Sequence, residues 1–379
     1  MSMHVLVFTG TRSQLLQHVH VERTVRTFRA WEPRLVLSAE KGDHALWPPL
    51  LEDYAISPCH RLGPAPASLS DASLLAHIMG RASLLIQREA PAAVLVYGHS
   101  VTTLAAALAA AEHGIPVIHV GAGQLPRDMN CPEGRHAGLT DRLSSLLCCL
   151  DPADEQRLHA ELMERGSCVT GDTLYDLFEM DRPRLRPFEE AERHGMAAGT
   201  FILCYLRHPA TLRSPERRRL LLEGLQALHA RQGLSILLVQ HPSALSCFQD
   251  PGRQLPSGIR ILPPLTHVAF LSLLCACVFA VSDSPSLLRE ALYAGKRALL
   301  LPPLRPDQVA VHDGWHKACP SAADLAAAGD ALLRPCPHPG LPGTSGQASR
   351  RVAAAVMAIL ADIADGIPHG AGGTSPQGD

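Results

Sequence analysis

Gly10-Thr11-Arg12 directly follows an apolar run, so Gly10 permits a tight turn and Arg12 presents a planar guanidinium suited to a phosphate or carboxylate. Far along the chain, Ser282-Asp283-Ser284-Pro285-Ser286 lies between an apolar run and a helical stretch carrying Glu290. There backbone N–H groups and hydroxyls point at an anion, which makes a diphosphate cradle the preferred reading. A plain helix cap by Ser284 or Ser286 is the alternative.

These segments need a frame that brings strand ends together. Short apolar runs alternate with Ala/Leu/Arg stretches of helical period, the pattern of βαβ units around parallel sheets. In the first half the expected strands are 4–9, 34–37, 92–97, 116–120, 146–150 and 167–170, with helices at 70–89 and 100–113. In the second half they are 200–206, 234–239, 259–262, 277–281 and 298–301, with helices at 216–231, 267–274 and 284–294. The fold class is therefore α/β, as two Rossmann-like doubly wound domains. The expected boundaries are 1–179 for the first domain, 180–346 for the second, 347–365 for a helix packing back, and 366–379 for a disordered tail. The Pro-rich segment 180–187 reads as the link. In such sheets ligands sit beyond the carboxyl ends of the strands, which selects the loops to inspect.

The totals exclude several classes. Lysine plus arginine number 34 against 36 aspartate plus glutamate, leaving no net charge to hold a nucleic acid or an anionic bilayer. No apolar run is long enough to span a bilayer. The 11 cysteines show neither CxxC pairs nor zinc spacing, and suit a reducing cytoplasm. No acidic cluster indicates a metal, and GTRSQ lacks the second and third glycines of a nicotinamide fingerprint, so no cofactor is expected. A homodimer is the default assembly for a soluble homo-oligomer.

The stretch from Val94 to Asp141, with its YGHSVTT turn, Ala-rich helix, GIPV strand, HVGAG loop and CPEGRH segment, resembles the UDP-N-acetylglucosamine 2-epimerase family. From His4 to about Asp307 the motifs follow in matching order. Gly10-Thr11-Arg12 resembles the family's GTRPE, departing at Ser13 and Gln14; Ser282-Asp283-Ser284 with Glu290 resembles TDSGGxQEE, the glycines replaced by Pro285 and Ser286. Pro264 to Phe270 resembles PLxYxxF, Gln240-His241-Pro242 resembles VHPN, and Arg305-Pro306 stands where the family has TERPE. Arg207-His208 replaces the family's histidine-arginine pair in inverted order. The resemblance implies the GT-B architecture, two such domains facing a cleft. It also implies that Arg12, Arg207, His208, His241, Ser284, Ser286 and Arg305 serve the diphosphate, that main-chain groups near Phe270 hold the uracil, and that Glu290 accepts from the ribose hydroxyls.

The family's reaction removes the proton on carbon 2 of the sugar and expels UDP, which needs a positioned base and a second group at the leaving oxygen. Its acids lie in GDxxTT, HVEAG and PEE; the corresponding residues here are His99, Gly121 and Glu133. Glu133 is retained, His99 is an imidazole able to act as a base, and Gly121 replaces nothing. Asp128 and His119 lie close by, and the family's NR pair becomes His136-Ala137. The expected function is epimerisation or hydrolysis of a UDP-sugar in a specialised pathway, with Glu133, His99, Asp128 and His208 as the catalytic candidates. The alternatives are a GT-B transferase-like enzyme and a catalytically silent nucleotide-sugar-binding protein.

Overall fold

The computed structural model describes residues 3–40, 47–64, 69–124, 131–161, 166–207, 214–241, 256–302, 314–341 and 346–366. The chain divides into two units, Met1–Leu177 with Pro342–Asp379, and Phe178–Leu341.

The first unit is built on seven parallel strands: β1 (His4–Thr9), β2 (Glu32–Ala39), β3 (His60–Pro64), β4 (Ala93–Tyr97), β5 (Val117–Ala122), β6 (Leu146–Cys149) and β7 (Ser167–Val169), in the order β3-β2-β1-β4-β5-β6-β7. The connecting helices are α1 (Arg12–Phe28), α2 (Trp47–Tyr54), α3 (Asp71–Glu89), α4 (Val101–Glu112), α5 (Pro132–Leu143) and α6 (Pro152–Ala160). Both faces of the sheet are covered, so its central strands β1, β4, β5 and β6 are buried without alternation. Leu6, Phe8, Val36, Val94 and Val96 pack under the alanines of α4 and the leucines of α3. Val5, Val7, Leu95, Tyr97 and Ile118 face α1 and the last helix.

Helix α7 (Thr173–Asp181) contains the point at which the chain passes from one unit to the other. The segment 180–187, expected as the link, comprises the end of α7, a 3-10 turn Arg182–Arg184, the coil residues Leu185 and Arg186, and the start of α8 (Pro187–Arg193). Its prolines sit in first-turn positions, where a missing N–H costs nothing.

The second unit carries six parallel strands: β8 (Phe201–Leu206), β9 (Ser235–Gln240), β10 (Ile259–Leu262), β11 (Ala280–Ser282), β12 (Ala298–Leu300) and β13 (Lys317–Ala318), in the order β10-β9-β8-β11-β12-β13. Its helices include α9 (Pro215–Gln232), α10 (His267–Ala276), α11 (Pro285–Tyr293) and α12 (Leu325–Leu333). Leu221, Leu222, Leu225 and Leu228 of α9 bury the strand residues Ile202, Cys204, Ile236 and Leu238. The basic residues Arg217 and Arg219 of α9 are exposed, as a solvated helix face requires.

Helix α13 (Ala348–Ala364) returns to the first unit against α1. There the His20 Nδ1 shares a 2.9 Å hydrogen bond with the Ser349 hydroxyl, and the Ser349 N–H donates to Asp176 at 2.7 Å. Residues 367–379, expected as a tail, lie outside the described residues.

Strands β3 and β13 were not among the sequence expectations. Both are edge strands: β3 reads HRLGP and β13 has only two residues, so neither shows an apolar run.

Candidate functional site

Each sheet reverses its winding once, between β1 and β4 in the first unit and between β8 and β11 in the second. Loops leaving neighbouring strand ends diverge at such a point and leave a crevice. The segments 10–12 and 98–100, and the segments 207 and 283–286, fall at these two places.

In the first unit, Thr11 caps α1 and puts Arg12, half-buried, at the first helical position. Gln14 completes the capping box: its side-chain oxygen accepts from the N–H of Gly10 at 2.8 Å and Thr11 at 3.2 Å. Its amide donates to the Tyr97 carbonyl at 2.7 Å and faces the hydroxyls of Thr103 at 2.7 Å and Ser100 at 2.9 Å. One buried side chain thus stitches the β1–α1 turn to the β4–α4 turn. Gly10 is required by closeness, because a Cβ there would overlap the side chain of Thr102.

His99 is half-buried in the turn after β4, ahead of the Ser100 cap of α4. Glu133 occupies the first turn of α5, whose cap is Cys131 and whose first residue is Pro132. The His136 Nδ1 donates to the His99 carbonyl at 3.3 Å. From the end of β2, Glu40 accepts the N–H of Thr102 at 2.8 Å. These contacts gather Glu40, His99 and His136 around the start of α4.

Gly121 lies at a register shift near the end of β5 with φ of +89°. That region strains any L side chain, and Gly121 carries no group that could move a proton. His119 lies on β5 just before this loop. It is buried, with Nδ1 at 2.7 Å from the Asp141 carboxylate and Nε2 at 2.7 Å from the Gly98 carbonyl, so both nitrogens face acceptors. Asp128 lies outside the described residues.

In the second unit the buried Asp283 accepts the Arg207 N–H at 2.9 Å, and the Ser282 hydroxyl donates to the Tyr205 carbonyl at 2.7 Å. Ser284 precedes α11 but its side chain makes no capping hydrogen bond; its hydroxyl instead lies 3.1 Å from that of Ser286. Glu290, buried on the same helix, faces His267 Nε2 at 3.6 Å. Tyr205 links the remaining candidates, its ring centroid 5.2 Å from Phe270 and 6.2 Å from His241. His208 and Arg305 lie outside the described residues. Among the described residues no group of His, Cys, Asp or Glu converges as metal ligands do, and no helix is long and apolar enough to cross a membrane.

Sequence reasoning gave no role to Gln14, Glu40, His136 or His267. Glu40 was missed because β2 runs to Ala39 and not to Leu37, which makes Glu40 a strand-end residue. His136 was read only as a departure from the family's NR pair because α5 was not expected, although Pro132 followed by Glu133 is a helix-start signal.

Two parallel sheets wound in this way, with polar segments at both switch points, define a two-domain Rossmann-type protein. The sequence profile of the UDP-N-acetylglucosamine 2-epimerase family matches residues 24–357, and the chain belongs to that family. It is 29% identical over 217 residues to the UDP-2,3-diacetamido-2,3-dideoxy-D-glucuronate 2-epimerase of Pseudomonas aeruginosa, a match covering 56% of this chain and 59% of that relative. It is 23% identical over 313 residues to the UDP-N-acetylglucosamine 2-epimerase of Yersinia pestis, covering 79% of this chain and 82% of that one. The structure of the Methanocaldococcus jannaschii UDP-GlcNAc 2-epimerase in complex with UDP-GlcNAc and UDP is similar with a TM-score of 0.83 at 19% identity, covering 94% of this chain and 100% of that one. The Neisseria meningitidis enzyme bound to UDP-GlcNAc gives 0.79 at 20% identity, over 94% and 100% of the two chains. These likenesses show the GT-B fold class for the two sheets.

Proposed function

We propose that this protein is a UDP-sugar 2-epimerase, abstracting the carbon-2 proton of a UDP-HexNAc-like substrate and eliminating UDP. Re-addition of UDP then gives the epimer, and addition of water gives the free sugar. The observation that carries this reading is the β11–α11 turn. Two hydroxyls, Ser284 and Ser286, stand together at a helix start without capping it, next to the buried Asp283 that anchors the Arg207 backbone. Helix N–H groups and hydroxyls of this kind suit a diphosphate.

In the division of labour we propose, the second unit takes the nucleotide. Arg207, His208, His241, Ser284, Ser286 and Arg305 serve the diphosphate, main chain near Phe270 serves the uracil, and Glu290 serves the ribose. Glu133 and His99 of the first unit, with Asp128, handle protons, and Arg12 serves the anion. His208 neutralises the leaving group. The domains are drawn at 1–179 and 180–346, with the helix 347–365 and a tail from 366. Free cysteines, nine of the ten described ones partly or fully buried, suit the cytoplasm, and the changed acids suit a specialised pathway; a homodimer is the expected assembly.

The test is incubation with UDP-N-acetylglucosamine in deuterated water. Deuterium at carbon 2 with release or reversible loss of UDP is the expected result, and absence of both refutes the reading. Gly121 favours a second reading, a nucleotide-sugar-binding protein without turnover. Tight UDP binding with no exchange for any UDP-sugar would select it.

A further inference from the structure

Gly121 supplies no acid, yet the same end of the first sheet holds an imidazole that none of the motifs assigns. His136 lies one turn after Glu133 on α5, so the two side chains leave the same face of the helix. Its Nδ1 is bound to the carbonyl of His99. A carbonyl oxygen only accepts, so the hydrogen sits on Nδ1 and the lone pair on Nε2. The ring is half-buried and therefore still reachable.

Burial lowers the His136 pKa below its ordinary 6.5, outweighing the His99 carbonyl and the carboxylates of Glu40 and Glu133, which raise it; Arg135 adds to the lowering. The elements packed against α5 are α4 and β5. They bring two further imidazoles: His99 in the turn leading into α4, and His119 on β5, which is already committed to Asp141 and Gly98. A ring held neutral at neutral pH, with its tautomer fixed, is prepared to accept a proton.

We propose that His136 Nε2 is the base that takes the carbon-2 proton, a role that Gly121 cannot serve. The inference rests on the UDP-sugar reading above. The C2–H electron pair becomes the second bond between C1 and C2, the C1–O bond breaks with its electrons leaving on UDP, and Nε2 holds the proton as imidazolium. On return a UDP oxygen re-forms the bond to C1, the C1–C2 π pair takes a proton at C2 from Glu133 protonated by solvent, and Nε2 releases its own proton to water.

The experiment compares the whole wild-type chain with His136→Asn, whose amide can still donate to the His99 carbonyl but has no basic nitrogen. Carbon-2 exchange in deuterated water should fall about 10²- to 10⁴-fold, while UDP affinity stays within a few-fold. In the wild type, kcat/KM should fall on the acid side with a midpoint below 6.5, and that limb should be absent from the variant's residual activity. Equal exchange in both proteins, with the same acid limb, overturns the proposal. If the variant does not fold, Glu40→Gln decides. Loss of a carboxylate that raises the ring's pKa should move the acid limb to lower pH, and an unmoved limb overturns the proposal. A wild-type protein that neither exchanges nor releases UDP defeats the reaction itself; an active wild type matched by His136→Asn defeats only the role of His136.

Discussion

The Gln14 amide donates to the Tyr97 carbonyl at 2.7 Å while its own oxygen accepts the Gly10 N–H, joining the two turns at the first sheet's switch point. The family's GTRPE has a glutamate at this position, and a carboxylate would set an oxygen against the Tyr97 carbonyl. Gln14→Glu should therefore lose stability, by about 1–3 kcal/mol for a buried partner left unsatisfied. Urea unfolding measures the loss, and an unchanged midpoint would contradict the role given to this amide.

Restoring the family acid by Gly121→Glu should not restore family-like turnover. At φ of +89° a side chain costs about 1–2 kcal/mol. A lower melting temperature without faster carbon-2 exchange is the expected pair of results. Gly121→Ala, carrying the strain without the charge, should melt at a similarly reduced temperature.

Asp283 holds the Arg207 N–H. Asp283→Ala should weaken UDP binding by tenfold or more and cost about 1–3 kcal/mol of stability by leaving a buried donor unpaired. Asp283→Asn retains an acceptor and should fall between. Calorimetry with UDP, run beside thermal unfolding, separates the two effects.

Under α1, burial pushes the Glu22 carboxyl up, but hydrogen bonds from His18 and Arg26 outweigh it and hold its pKa below the usual 4.5. A depressed folded pKa means stability that is complete above the unfolded value and lost as pH falls through the folded one. Wild type should thus exceed Glu22→Gln in stability near pH 7, and the gap should shrink below pH 4.5. Denaturation at a series of pH values checks this; a gap that widens with acid would reverse the sign.

The strands buried on both faces, such as Val5 to Phe8 and Val94 to Tyr97, were legible because nothing but apolar runs can occupy those positions. The turns at Gly10 and Ser284 were legible too, since glycine and hydroxyl residues between a strand and a helix have few other uses. The edge strand His60–Pro64 was not, having no partner on one side to demand an apolar residue. Glu40 and His136 were hidden for a different reason. Their proximity depends on how β2 and α5 end and begin around α4, a relation between segments far apart in the chain. Likewise, the strain that an L side chain would meet at Gly121 is visible only in its backbone angle.

His119 spans Gly98 and Asp141, and so clamps the ends of β4 and β5 to helix α5. Swapping side chains on a clamped platform leaves the spacing of the others undisturbed. Chemistry at this end of the sheet can therefore drift residue by residue, an acid vanishing at one post and an imidazole arriving at another, without the scaffold being rebuilt.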